Sequence, residues 1–339
     1  MDDGKAMNIG VIGAGSWGTT LADLLAGKGF AVTLWAYEKD LVERMKSGRE
    51  NDLYLSGVVL AENLSFTADL TEAVAGKELL VLVPPSQVMR QVVSRAVPHI
   101  APETVIVSAS KGIENDTLKT MSEVLDELLA PDLNRRLAFL SGPSFAREVA
   151  AGMPTAVAAA AADPEIARKV QEIFSTESFR VYTNDDVIGV ELGGALKNVI
   201  ALAAGVSDGL GFGYNTRAAL ITRGLAEMTR IGMAMGANPA TFSGLAGMGD
   251  LVLTCTGDLS RNRTVGIELG RGKSLEDILS GMNMVAEGVK TTLSTFQLAQ
   301  KLQVEAPIVE QMYHILYQGK EARRAVTDLM LRELKPEGL

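Results

Sequence analysis

One cysteine and two histidines in 339 residues remove several chemistries at the outset. With Cys255 alone, neither a disulfide framework nor a cysteine-rich metal centre can be built, so a reducing, cytoplasmic setting and no metal are expected. No histidine is placed to assist that thiol, which reads as structural. His99, in "VPHIAPE", and His314, in the amphipathic "EQMYHILYQ", are expected outside the ligand cleft. A His–Asp hydride relay is therefore not expected, and proton transfer falls to lysine. Basic charge is also short: 32 Lys and Arg stand against 41 Asp and Glu, a net charge of -9. Nucleic acid and anionic membrane surfaces, which need a basic face, are not expected partners. Long apolar runs are missing too. Stretches such as Val199 to Val206 fall short of the roughly 18 residues a membrane span needs, and "MDDGKA" lacks the basic start and apolar core of a signal peptide. Neither export nor membrane insertion is expected.

What is present is ample apolar material, 47% of the chain, enough for two sizeable cores. In the first half, "NIGVI", "AVTLW", "LLVLVP", "TVIVSAS" and "LAFLSG" alternate with helical segments such as "SQVMRQVVSRAV". That alternation predicts a parallel sheet wrapped by helices. "PTAVAAAA" and "FRVYT" extend the sheet, which is expected to end near Thr183. After "NDDV" the periodicity becomes helical. The expected fold is α/β: a Rossmann-type, doubly wound N-terminal domain over residues 1–186, then an all-α C-terminal domain over 187–339 for substrate and catalysis.

Gly13, Gly15 and Gly18 in "GVIGAGSWGT" form G-x-G-x-x-G between the first strand and the first helix. The first glycine permits the tight turn, the second lets backbone approach a pyrophosphate, and the third lets helix and strand pack closely. The helix N-terminus adds unpaired N–H groups and a positive dipole. Glu38 lies twenty residues past Gly18, where a carboxylate accepts from an adenosine ribose and repels a 2′-phosphate, so NAD is favoured over NADP. Lys39 beside it can offset that repulsion, and the plainer reading of "EKD" is a solvated helix start.

The following strands end in "VPPS", "SASKG" and "LSGPSFA", which should line one crevice at the carboxyl edge of the sheet. Lys111 there can be a solvated loop lysine, or can neutralise an anionic substrate. Lys197 lies inside the apolar "LGGALKNVIALAAG", where desolvation and a neighbouring lysine lower its pKa into the range of a proton shuttle. The alternative is a lysine that snorkels to the surface. In "GMGDLVLTCTGDLSRNR", Ser260, Arg261, Asn262 and Arg263 offer hydroxyl, guanidinium and amide donors for a phosphate.

Taken in order, "GAGSWG", "SASKGIE", "SGPSFA" with "ELGGALKNV", "TCTGDLSRNR" and "VAEGV" carry a resemblance along nearly the whole chain. It resembles the bacterial NAD(P)-dependent sn-glycerol-3-phosphate dehydrogenases. The resemblance implies reversible reduction of dihydroxyacetone phosphate to sn-glycerol 3-phosphate, supplying the glycerol backbone of phospholipids, by a homodimer. It implies that Ser16, Trp17, Ala146, Val285 and Glu287 contact the dinucleotide, NAD or NADP, and that Lys197 is the proton acceptor. Lys111, Gly142, Ser144, Asp250, Ser260, Arg261 and Asn262 would hold substrate, Lys111 and Arg261 also touching cofactor, with Thr254 near the active-site Lys and Asp. Many bacterial members carry Arg where this chain has Tyr37, which removes a usual grip on the 2′-phosphate. Two other readings stand beside it: a 3-hydroxyacid dehydrogenase of the 6-phosphogluconate type, and a non-enzymatic NAD-binding redox sensor.

Overall fold

The β-branched runs form strands and the segments between them form helices, in the order β1 (Asn8–Ile12), α1 (Ser16–Gly27), β2 (Ala31–Trp35), α2 (Lys39–Gly48), β3 (Ser65–Thr67), α3 (Leu70–Val74), β4 (Leu79–Leu82) and α4 (Met89–Ala96). There follow β5 (Val105–Ser108), α5 (Met121–Leu128), α6 (Pro131–Asn134), β6 (Leu137–Ser141), α7 (Ala146–Ala150), β7 (Thr155–Ala160), α8 (Pro164–Phe174) and β8 (Phe179–Asn184). This computed structural model describes residues 6–282 and 286–337.

The eight strands make one sheet in the order β3-β2-β1-β4-β5-β6-β7-β8. Its first six positions follow the doubly wound dinucleotide-binding order. Alternate residues feed the two faces: Leu79 and Val81 enter one core, with Leu21, Leu25 and Phe174, whereas Leu80 and Leu82 enter the other, with Met89, Val93 and Leu125. Burial on both faces is why these strands read as continuous apolar runs. The sheet is not wholly parallel, a departure from the sequence expectation. β7 pairs antiparallel with β6, Phe139 opposite Ala160, and β8 then runs parallel to β7. β3 was also not foreseen; it is three residues long, with only Phe66 and Thr67 buried, too short to leave a pattern.

Two compact units are present. One holds the residues through Ser110 and Met121–Val187, the other Lys111–Thr120 and the residues from Ile188 onward. A single cut at 186 differs from these units at Lys111–Thr120, because Ile113 is fully buried in the core of the helical unit.

The helical unit contains α9 (Val187–Gly209), α10 (Tyr214–Ala234), α11 (Pro239–Phe242), α12 (Asp250–Thr256), α13 (Arg261–Gly270), α14 (Leu275–Ser280), α15 (Glu287–Leu302), α16 (Pro307–Gln318) and α17 (Ala322–Met330). One π-helical turn, Leu245–Gly249, leads into α12. Contrary to the sequence reading, α9 is long and apolar enough to cross a membrane, with a mean hydropathy of 1.6, yet 83% of that window is buried inside the protein. Lys197 and Asn198 interrupt its run of Leu, Ile, Val and Ala, which hid its full length. α9 meets α13 backbone to backbone: a Cβ on Gly205 would stand 2.1 Å from the Arg263 carbonyl, and one on Gly266 would stand 2.2 Å from that of Leu202.

Candidate active site

Asp250 opens α12 and is almost completely buried, 1% exposed. Such a carboxylate must be paired to stay ionised, and two lysines pair it. Lys197 Nζ donates to Oδ1 at 2.8 Å, and Lys111 Nζ donates to Oδ2 at 2.6 Å. Lys197 donates a second bond, 2.7 Å, to Thr254 Oγ1, whose own hydroxyl donates to the Asp250 backbone carbonyl at 2.6 Å. The third hydrogen of the ammonium has no protein partner among the described residues. Burial pulls Lys197 down to about 8, the nearby Lys111 acts in the same direction, and Asp250 works against both. Cys255, one turn along the buried side of α12, is pushed up to about 12 by burial, so its thiol stays protonated and unreactive.

The next loop prepares a second group of donors. Ser260 caps α13, its hydroxyl accepting from the Arg263 N–H at 3.3 Å. Asn262, buried in the first turn, donates to Asn198 Oδ1 at 3.0 Å and accepts from the Gly288 N–H at 3.0 Å. Arg261 is exposed at the same helix start, with the Glu287 carboxylate as its electrostatic neighbour. Arg263, a clamp donor in the sequence reading, is committed elsewhere: Nε donates to Asp208 at 2.8 Å and Nη1 to Asp258 at 2.9 Å. Arg217 fills the other oxygen of Asp208 at 2.6 Å. Arg263 is therefore part of the frame under the loop. Asn198 was missed in the sequence, although it follows Lys197 directly and an amide inside an apolar helix needs a partner. Asp208 was missed as well, since nothing local to it reveals two arginines from other helices.

In the sheet unit the three motif glycines have three separate reasons. Gly13 has φ +114°, and its missing Cβ would stand 2.9 Å from the Val83 carbonyl. Gly18 would put a Cβ 1.9 Å from the Gly13 oxygen, whereas at Gly15 a Cβ would meet nothing within 4 Å. The ground before Gly15 is thus open to a ligand. α1 begins there with no side-chain cap and no acid in its first turn, as a phosphate site requires. The buried indole N–H of Trp17 has no protein acceptor among the described residues. Open backbone, an uncapped helix start and an orphaned donor fit a dinucleotide with Ser16 and Trp17 against it.

Glu38 follows β2 at the carboxyl edge, half-buried and bonded to Tyr54, while Tyr37 is 77% exposed. Gly142, Ser144 and Ala146 follow β6 in this same unit. Gly142 has φ +147°, with Val157 Cα 2.9 Å from a would-be Cβ. Ser144 Oγ donates to the Gly142 carbonyl at 3.1 Å, and the Ala146 carbonyl accepts from Thr20 at 3.3 Å. Val285 lies outside the described residues. Among the described residues no His, Cys, Asp and Glu cluster could hold a metal ion.

Comparison with known proteins matches both halves. Residues 8–167 match the family described as NAD-dependent glycerol-3-phosphate dehydrogenase N-terminus, and residues 186–327 match its C-terminus. The chain is 69% identical to the glycerol-3-phosphate dehydrogenase (NAD(P)+) of Syntrophotalea carbinolica over 331 residues, 98% of this chain and 99% of that one. It is 66% identical to the enzyme of the same name from Citrifermentans bemidjiense, over 98% and 100% of the two chains. The crystal structure of glycerol-3-phosphate dehydrogenase from Coxiella burnetii superimposes with a TM-score of 0.92 at 41% identity, covering 96% of this chain and 99% of that one. With both halves matched in order and relatives alike from end to end, the chain belongs to the NAD-dependent glycerol-3-phosphate dehydrogenase family.

Proposed function

We propose that this chain catalyses the reversible reduction of dihydroxyacetone phosphate to sn-glycerol 3-phosphate with NADH or NADPH, as the names of its relatives suggest. The observation that carries the reading is the buried Lys197 ammonium, held by Asp250 and Thr254 with one N–H left for a ligand. When bound at the glycine loop, the nicotinamide cofactor supplies the hydride. The chain's own residues do the rest. Lys197 donates its third N–H to the C2 carbonyl oxygen, stabilises the charge that grows there and passes it a proton, leaving a neutral amine. Asp250 and Thr254 fix the lysine. Ser260, Arg261 and Asn262 at the start of α13 hold the phosphate, and that remote binding energy aligns the carbonyl. In the oxidative direction the neutral amine takes the hydroxyl proton. Lys111, on the far oxygen of Asp250, adds positive charge for an anionic substrate.

We further propose a cytoplasmic homodimer with no membrane insertion: the single buried Cys255 supports the compartment, the burial of α9 supports the lack of insertion, and the dimer rests on the family resemblance. A steady-state assay of dihydroxyacetone phosphate with each coenzyme, beside a panel of 3-hydroxy acids, tests the reading. Turnover with the phosphate ester alone is expected. Turnover of the 3-hydroxy acids alone would overturn it. NADH is expected to serve at least as well as NADPH, and a tenfold preference for NADPH, about 1.4 kcal/mol, would overturn that assignment.

A further inference from the structure

Glu38 occupies the N-cap position of α2, yet its carboxylate does not cap the helix. Its Oε1 accepts instead from the Tyr54 hydroxyl at 2.8 Å. Burial and that bond push the phenol up to about 12, so it remains a donor at any working pH. Tyr54 is itself pinned, its backbone N–H donating to Asn51 Oδ1 at 3.0 Å. Asn51 is fully buried and spends its amide N–H groups on the Ala14 carbonyl and on Thr19 Oγ1, each at 2.8 Å. A chain of hydrogen bonds therefore runs from inside the glycine motif, through Asn51 and Tyr54, to the carboxylate at the end of β2.

We infer that Tyr54 is a positioning residue for coenzyme choice: anchored by Asn51, it holds the Glu38 carboxylate where a ribose diol is accepted and a phosphate is repelled. The inference rests on the proposed dinucleotide site. A glutamate without this tether is drawn to the open N-terminus of α2 or to solvent, and its charge no longer stands at a defined point. The opposite charge is at hand, because Lys39 lines a surface cavity with Arg95 and His99, countered there by Asp69. Once Glu38 is released, its charge no longer stands at the ribose position and the penalty on a 2′-phosphate falls. The anchor on Ala14 also keeps the carboxylate in register with the loop that takes the pyrophosphate.

The test is a fluorescence titration of NADH and NADPH into the full chain, as wild type, Tyr54→Phe, Glu38→Gln and the double variant. Tyr54→Phe keeps the ring and removes only the donor. It is expected to weaken NADH about five- to tenfold and to leave NADPH within about twofold, the loss of one charge-assisted bond. The double variant is expected to match Glu38→Gln alone, because the two residues act as one unit. Equal weakening of both coenzymes by Tyr54→Phe would mark a merely structural residue and overturn the inference. Additive effects in the double variant would do the same. Failure of the wild type to bind NADH at all would instead overturn the site assignment beneath it.

Discussion

Lys111 and Lys197 are joined through one carboxylate, each donating to its own oxygen of Asp250, at 2.6 and 2.8 Å. The buried charge is thus satisfied twice, and losing one lysine does not leave it bare. Lys197→Met, which keeps the apolar stem, is accordingly expected to fold and to bind NADH while kcat falls roughly 100- to 10,000-fold, the worth of general acid catalysis. Circular dichroism and coenzyme titration check the fold. A folded variant retaining more than about a tenth of wild-type kcat would remove Lys197 from the mechanism.

The pH dependence should differ between the two directions. On the proposed mechanism reduction needs the ammonium form of Lys197, so its rate is expected to fall as pH rises through about 8. Oxidation needs the neutral amine and should rise through the same value. Because the Asp250 charge raises the lysine's affinity for protons, Asp250→Asn should move both limbs to lower pH. Initial-rate profiles in each direction read this out, and a limb that stays put in Asp250→Asn would contradict the coupling.

Arg261 and Arg263 are expected to separate. Arg261→Ala should raise KM for dihydroxyacetone phosphate and lower kcat as well, since phosphate binding aligns the carbonyl. Arg263→Ala breaks the pairs with Asp208 and Asp258, leaving Asp208 to Arg217 alone. Its main effect should be on thermal stability. Equal KM effects from both, at unchanged stability, would show that Arg263 touches substrate.

Glu227 gives the helical unit a titration of its own. Its oxygens accept from the Ile308 N–H at 2.8 and 3.1 Å and from the Val309 N–H at 3.2 Å, at the start of α16. Burial nevertheless raises it from 4.5 to about 7. A carboxyl that binds its proton more tightly when folded adds stability in full below its unfolded value and loses it as pH rises through the folded one. Stability should therefore fall between about pH 4.5 and about pH 7, by up to about 1.4 kcal/mol per unit, and then level off. Urea denaturation of wild type against Glu227→Gln measures the difference; parallel curves across that window would refute it.

The sequence exposed what repeats or punctuates. Gly13, Gly15 and Gly18, the alternating strands and Lys197 in an apolar helix were legible because each breaks a local pattern, whereas Asp250 came only with the family resemblance. Less legible were features made by partners far apart in the chain. The Arg263 guanidinium reads as a phosphate ligand until Asp208, 55 residues earlier, is seen to hold it. Tyr54 carries no local signal, and only the Glu38 carboxylate at its hydroxyl gives it a role. The reversed strand β7 was hidden for another reason: a strand's direction leaves no mark on its composition.

The glycine contact between α9 and α13 fixes a length. Lys197 sits on one helix and the donors of Ser260, Arg261 and Asn262 at the head of the other, and no side chain separates the two backbones at Gly205 and Gly266. The spacing between α9 and α13 is then set by atomic radii, which repacking cannot alter. Such a pair works as a gauge. On the roles proposed above, it is expected to accept a carbonyl a given number of bonds from its phosphate and to reject a substrate one carbon longer.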